Sequence, residues 1–268
     1  MMPAPDRPPP TLKRLGQHFL IDRRILAQIA DAAGIAPGET VLEIGPGRGA
    51  LTDLLAERAS RLVAIELDRA LAARLRERYA DRPHVTIVEA DVLDVALATL
   101  AGDGPWCLVG NVPYYITTPI LFHALRPPRP RRAVFLVQRE VAERAGAAPG
   151  SDGYGALSVN LQALAVPRVG GIVKPGAFNP PPKVDSAILV VEPLAVPLVT
   201  AAEEAAFSKF VVAAFGQRRK QLRRVLRSVR GLSADEAEGV LARVGVPVEA
   251  RPETLDVAEF IALFRSMA

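Results

Sequence analysis

Four short segments of this chain carry groups that could do chemistry. Glu43-Ile44-Gly45-Pro46-Gly47-Arg48-Gly49 brings three glycines together, at 45, 47 and 49. Glu66-Leu67-Asp68 and, further on, Asp91 supply carboxylates. Asn111-Val112-Pro113-Tyr114 joins a side-chain amide, a proline without an N–H and an aromatic ring. Glycines let a ligand come close to the backbone, carboxylates accept hydrogen bonds from hydroxyls and amines, and an amide beside a rigid turn can hold an amino group. A fifth segment differs in kind. Between Arg218 and Arg230 stand seven basic residues and no acid, an electrostatic footprint for phosphate.

Each of the first four segments closes an apolar run. Thr40–Gly45, Arg61–Asp68, Val85–Asp91 and Trp106–Tyr115 read as short buried strands. Helical spacing lies between them, in Ala50–Ala59, Arg69–Ala80 and Val92–Ala101. A helix over Arg23–Gly34 precedes them, and one beginning at Ile116 follows. Ala133–Ala145 starts as a strand and becomes helical, and β segments near Val159–Val173 and at Val184–Glu192 complete the set. Strict alternation of this kind predicts a doubly wound parallel sheet. From Ala201 onward only helical spacing remains, which predicts a small all-helical domain.

In an open α/β sheet, ligands bind beyond the carboxyl ends of the strands. Glu66, 21 residues after Gly45, can accept both hydroxyls of a ribose, and NAD and S-adenosylmethionine would use it equally well. Two features separate those ligands. The glycine spacing departs from the G-x-G-x-x-G of a dinucleotide site. Asp91 can accept from an adenine amino group, and the Asn111–Tyr114 tetrad falls where the sulfonium of a methyl donor would lie.

The composition narrows the class. Half of the 268 residues are hydrophobic and 23% are charged, which excludes a disordered chain. The one cysteine, Cys107, excludes a disulfide framework and reads as a buried strand residue without a redox role. His18, His84 and His123 show no metal-ligand spacing, so no metal is expected. No apolar run approaches a membrane span, and the opening MMPAPDRPPPTLKR lacks the apolar core of a signal peptide. The expected address is cytoplasmic, with no membrane partner. Net charge is +4, and nothing demands more than a monomer.

Five ordered motifs point further: LGQHFLID (Leu15–Asp22), VLEIGPGRGALT (Val41–Thr52), VGNVPYYITTPIL (Val109–Leu121), FNPPPKVDSAIL (Phe178–Leu189) and FGQRRKQLRRVL (Phe215–Leu226). Together they resemble the 16S ribosomal RNA adenine-N6,N6-dimethyltransferases over roughly residues 12 to 265. The resemblance implies a Rossmann-like S-adenosylmethionine-dependent methyltransferase sheet with a helical C-terminal domain. It divides the chain into a flexible proline-rich 1–12, a catalytic domain over 13–193 and an RNA-binding domain over 194–268. The implied partner is 16S rRNA in the 30S subunit or its precursor. The implied reaction is transfer of four methyl groups to two adjacent adenosines in the 3′-terminal hairpin loop, with a role in 30S maturation.

On that resemblance, Gln17, His18 and Leu20 fold over the cofactor near its methionine end, where a neutral His18 would donate to the carboxylate. Gly45, Gly47, Glu66, Asp91, Val92 and Asn111 complete the cofactor set. An adenine amino group is a poor nucleophile because its lone pair is delocalised. The Asn111 side-chain oxygen and the Val112 carbonyl would hold its two N–H bonds, stabilising the transition state above all. Pro113 fixes the loop, Tyr114 offers a stacking face for an extruded base, and Phe178 closes the other face. Tyr115, where the family often has Asn, reads as a packing residue. Lys183 and Asp185 are expected to pair and fix the loop that carries Phe178, or Lys183 to touch phosphate. Arg218, Arg219, Lys220, Arg223, Arg224 and Arg227 are assigned to rRNA phosphates, against the alternative that this helix pairs with acids such as Glu236 and Glu238. Three rivals remain: an erythromycin-resistance type 23S rRNA methyltransferase, a non-catalytic assembly or transcription factor on the same fold, and, most remotely, an NAD-dependent dehydrogenase.

Overall fold

Asp22 accepts from the backbone N–H groups of Arg24 and Ile25, so the chain turns helical immediately after the short strand β1 (Phe19–Leu20). The computed structural model describes residues 18–217 and 220–267. Residues 1–12, Gln17, Arg218 and Arg219 lie outside them. Helix α1 (Arg23–Ala33) buries Leu26, Ile29, Ala30 and Ala33 and stops at Gly34, whose φ of +55° suits a residue without Cβ.

The alternation then runs β2 (Thr40–Ile44), α2 (Ala50–Ala56), β3 (Arg61–Glu66), α3 (Arg69–Arg78), β4 (Val85–Glu89), α4 (Leu97–Ala101), β5 (Trp106–Asn111), α5 (Thr117–Ala124) and β6 (Arg132–Gln138). Next come α6 (Arg139–Ala145), α7 (Ala156–Gln162), β7 (Ala165–Val173), β8 (Phe178–Asn179) and β9 (Ser186–Pro193). Every residue of β2 is buried, as a central strand covered on both faces must be.

Seven strands form one sheet in the order β4-β3-β2-β5-β6-β9-β7, and the pairs from β4 to β6 are parallel. The chain winds outward from β2 to β4, then returns to the other side of β2 with β5. The sheet therefore reverses between β2 and β5, the switch point where a crevice opens. Register decides what stands there. Ile44 pairs with Ile65 and Gly110, and Glu66 pairs with Glu89, so the four strands end level. β1 and β8 form a separate antiparallel pair, Phe19 opposite Asn179 and Leu20 opposite Phe178.

The chain packs as two compact units: residues through Arg139 with Gly170–Val190, and Glu140–Val169 with Val191 onward. The second contains α8 (Glu204–Phe215), α9 (Leu222–Arg230), α10 (Ala234–Arg243) and α11 (Val257–Arg265). Packing thus draws the units differently from the expected 13–193 and 194–268. The reason is visible within the second unit. α7 lies against α8 and α11, and Tyr154 meets the Phe215 ring edge-on at 6.0 Å. Phe207, Phe210, Phe260 and Phe264 build the rest of that core.

Three expected elements change. Val159 lies in helix α7, not in a strand. Leu157, Val159 and Leu161 alternate like a strand, but the whole stretch Leu157–Leu161 is buried, so the alternation marks no face. The expected helix over Val92–Ala101 divides into a single 3-10 turn at Val92–Asp94 and α4. Among the described residues the basic helix begins at Leu222, after an extended Gln221.

Candidate functional site

A cleft opens at the level strand ends and gathers most of the singled-out residues: His18, Leu20, Gly45, Gly47, Glu66, Asp91, Val92 and Asn111 to Tyr114. The loop after β2 reaches it only through glycine. Gly45 has φ +67°, and a Cβ there would sit 3.1 Å from the Asn111 carbonyl oxygen. Gly47 has φ +57°, and a Cβ would sit 3.0 Å from the Phe19 ring. Both positions combine a left-handed backbone with little room for a side chain.

Glu66 ends β3 and is buried. Oε2 accepts from the Gly47 N–H and Oε1 from the Asp68 N–H, each at 2.9 Å. Burial pushes its carboxyl above the ordinary range, against the opposing pull of those N–H groups. Each carboxylate oxygen retains a lone pair, so the group can accept two further hydrogen bonds with its orientation fixed. Asp91 caps the Val92–Asp94 turn by accepting from the Leu93 N–H with Oδ1, at 2.9 Å, which leaves Oδ2 for a donor in the cleft.

Glu43 was not singled out in the sequence, although it stands in the glycine motif. It is 1% exposed, lines the cleft, and Oε2 has no hydrogen-bond partner. Burial pushes its carboxyl up to about 8, and the nearby Glu66 and Asp53 add to the rise. Thr52 offsets part of it without reaching a hydrogen bond, since its own hydroxyl is also unpaired.

The tetrad leaves β5 with its groups sorted. The Asn111 amide nitrogen donates to the His18 carbonyl at 3.2 Å, so Oδ1 remains as an acceptor. Pro113, at φ −59°, carries the turn into a 3-10 helix at Tyr114–Ile116. The Tyr114 hydroxyl lies 2.6 Å from Ser186 Oγ, and burial raises its pKa. Its ring lies beside the His18 ring, centroids 6.0 Å apart and planes 24° apart.

Several expected roles change here. His18 Nδ1 donates to the Pro180 carbonyl at 2.8 Å. A neutral His18 then has only an acceptor left at Nε2 and cannot donate to a carboxylate. Phe178 does not line the cleft. It is 3% exposed and packs with Leu20, Leu26 and Ile29, because its pairing opposite Leu20 turns it into the core. Tyr115 is 62% exposed at the mouth of the cleft and is no packing residue. Asp185 meets Lys174 at 2.7 Å and Arg139 at 3.8 Å, and not Lys183, which is exposed. Cys107 is fully buried, and burial pushes its thiol up to about 12.

On α9, Leu222, Val225 and Leu226 face inward. Lys220, Arg224 and Arg227 are exposed, whereas Arg223 pairs with Glu238 of α10 at 2.6 Å. Arg230 lies over the Phe210 ring at 5.5 Å. Glu236 instead closes the capping box of α10 with Ser233. Among the described residues no group of three or more His, Cys, Asp or Glu is placed to hold a metal ion, and no helix is long and apolar enough to cross a membrane.

In chain order the sheet reads 3-2-1-4-5-7-6, with a cleft at its switch point and an amide acceptor beyond the fourth strand: a Rossmann-like methyltransferase. The sequence matches the ribosomal RNA adenine dimethylase family over residues 11–268. A ribosomal RNA small subunit methyltransferase A of Geobacter metallireducens is 44% identical over 260 residues, covering 95% of this chain and 94% of that one. Its counterpart in Aromatoleum aromaticum is 46% identical over 259 residues, 96% and 94%. Among solved structures, a dimethyladenosine transferase from Plasmodium falciparum superposes with a TM-score of 0.80 at 25% identity, covering 92% of this chain and 96% of that one. The 23S rRNA methyltransferase ErmE superposes with a TM-score of 0.72 at 31% identity, 93% and 99%. The chain belongs to the ribosomal RNA adenine dimethylase family. It is an rRNA adenine dimethyltransferase that uses S-adenosylmethionine.

Proposed function

We propose that this enzyme dimethylates N6 of two adjacent adenosines in the 3′-terminal hairpin loop of small-subunit rRNA, on the 30S subunit or its precursor, and so contributes to 30S maturation where ribosomes are assembled. The observation that carries the chemistry is the fixed polarity of Asn111. With its amide nitrogen donating to His18, its oxygen is presented as an acceptor. The choice of subunit is supported by the 44–46% identical relatives named for the small subunit.

S-adenosylmethionine, when bound, supplies an electrophilic methyl group. The residues fit it. Gly45 and Gly47 allow backbone approach, Glu66 has two free acceptor sites for ribose hydroxyls, and Asp91 Oδ2 can accept from the adenine amine above Val92. Leu20 and His18 line the same cleft and would lie at the methionine end. Opposite them, Asn111 Oδ1 and the Val112 carbonyl hold the two N–H bonds of the target amine. This draws its lone pair out of the ring and aims it at the methyl carbon. With the cofactor bound, the amine nitrogen so aimed would take the methyl group and pass the proton it loses to water. Pro113 keeps the two acceptors in place, and Tyr114 carries the extruded base on its face. Lys220, Arg224 and Arg227, with Arg218 and Arg219, hold rRNA phosphates without reading sequence.

The test is tritiated methyl transfer to 30S subunits, 50S subunits and free rRNA in parallel, followed by nucleoside analysis. The expected result is N6,N6-dimethyladenosine in 30S particles alone. Label confined to 50S or free 23S rRNA would replace this reading with that of the 23S enzymes, for which the likeness to ErmE speaks.

A further inference from the structure

Ser186 opens β9 with no exposed surface, and its hydroxyl meets the Tyr114 hydroxyl at 2.6 Å. A buried hydroxyl at a strand start is costly unless it is paired. Here the partner is the outer tip of the tetrad's aromatic ring, 72 residues away in sequence. The same ring is held twice more. Its backbone lies in the turn after Pro113, and its face lies near His18, which is itself anchored to the Pro180 carbonyl. Both outer anchors, Ser186 and Pro180, come from the segment that follows β8.

We propose that Ser186 is a positioning residue that fixes the plane of Tyr114, and that the second methylation of each adenine depends on it more than the first. The inference rests on the proposed reading of Tyr114 as the platform for the base. During the first transfer the amine presents two N–H bonds, one for Asn111 Oδ1 and one for the Val112 carbonyl. Once one hydrogen has been replaced by methyl, only one N–H remains. Orientation of the monomethylated base then rests on one hydrogen bond and on the ring beneath it. A ring free to tilt therefore costs in-line alignment more in the second step than in the first.

The test compares Ser186→Ala, Tyr114→Phe and the double variant with wild type, on 30S subunits that lack the modification. At equal total methyl incorporation, mass spectrometry reads the ratio of N6-methyladenosine to N6,N6-dimethyladenosine, and calorimetry reads S-adenosylhomocysteine affinity. One lost hydrogen bond predicts a rise of about 3- to 10-fold in the mono-to-dimethyl ratio in each single variant, and no further rise in the double. Cofactor affinity should match wild type. A purely structural role would lower both methylations together and leave the ratio unmoved. An unchanged ratio in the single variants, or multiplied effects in the double, would overturn the proposal. Should Ser186→Ala fail to fold, Tyr114→Phe removes the same bond from the half-buried side and decides alone. A wild-type enzyme that makes no dimethyladenosine on 30S overturns the substrate reading, and this inference with it. A wild type that does, beside variants with its own ratio, overturns the inference alone.

Discussion

The strand-end cleft and the basic helix α9 hold their polar groups in opposite ways. At the cleft, backbone groups hold both carboxylate oxygens of Glu66 and one end each of Asp91 and Asn111, so these polar groups are fixed in direction. On α9, Arg224 and Arg227 stand exposed on long flexible stems, whereas Arg223 is tied to Glu238 and Arg230 lies over the Phe210 ring. The contrast follows from the tasks. A methyl transfer tolerates little misplacement of its acceptors. Phosphate binding draws on charge, and a mobile guanidinium serves it as well as a fixed one.

The largest effect should come where the cleft is most constrained. Asn111→Ala removes an acceptor needed chiefly in the transition state and should lower single-turnover methyl transfer by about 10²–10³-fold. Subunit binding should persist. A fully active Asn111→Ala enzyme would erase the contrast.

Cofactor contacts come next. Glu66→Ala and Asp91→Ala should each weaken S-adenosylmethionine by roughly 10- to 150-fold in calorimetry, the range for a lost hydrogen bond to a charged group. Unaltered affinity in both variants would remove the assignment of this edge.

On α9 the structure separates two arginines that look equivalent in sequence. Reversing Arg224 and Arg227 to Glu should weaken 30S binding and flatten its logarithmic salt dependence by roughly 1.5, with thermal stability retained. Arg223→Glu should instead lower Tm by about 1–4 °C, because it breaks a partly exposed pair and opposes Glu238 with a like charge. If Arg224 and Arg227 lowered Tm and left the salt slope alone, the helix would be structural throughout.

The smallest effect is a matter of pH. Burial holds the Glu43 carboxyl at about 8, above its value in the unfolded chain. Between about 5 and 8 the folded state binds the extra proton, so this group's contribution to stability falls as pH rises through that window. Glu43→Gln keeps the neutral form at all pH. Its Tm advantage over wild type should be least near pH 5 and grow steadily toward pH 8–9. A difference independent of pH would mean that Glu43 is ionised in the fold.

Much of the cleft was legible in the order of residues because parallel strands deliver their carboxyl ends to one edge. Once Thr40–Gly45, Arg61–Asp68, Val85–Asp91 and Trp106–Tyr115 read as strands, Gly45, Glu66, Asp91 and Asn111 had to meet there. Phe178 was misplaced for a reason of the same kind. Its motif carries an aromatic but not the pairing opposite Leu20 that turns it inward. The helical division of residues 140–169 with the C-terminal run also escaped, since a helix buried throughout Leu157–Leu161, as α7 is, shows no face.

By itself, then, the order of residues determined which groups the sheet would collect and which reaction they suit, since strand direction and local turn chemistry are local properties. Only the tertiary structure decided how those groups are aimed. The donation from Asn111 to His18, the bond between Tyr114 and Ser186, and the pair of Arg223 and Glu238 join residues 93, 72 and 15 positions apart. Such contacts depend on packing distances that no local pattern encodes. They settle whether an amide presents its oxygen, whether a ring can tilt, and which arginine is free for phosphate.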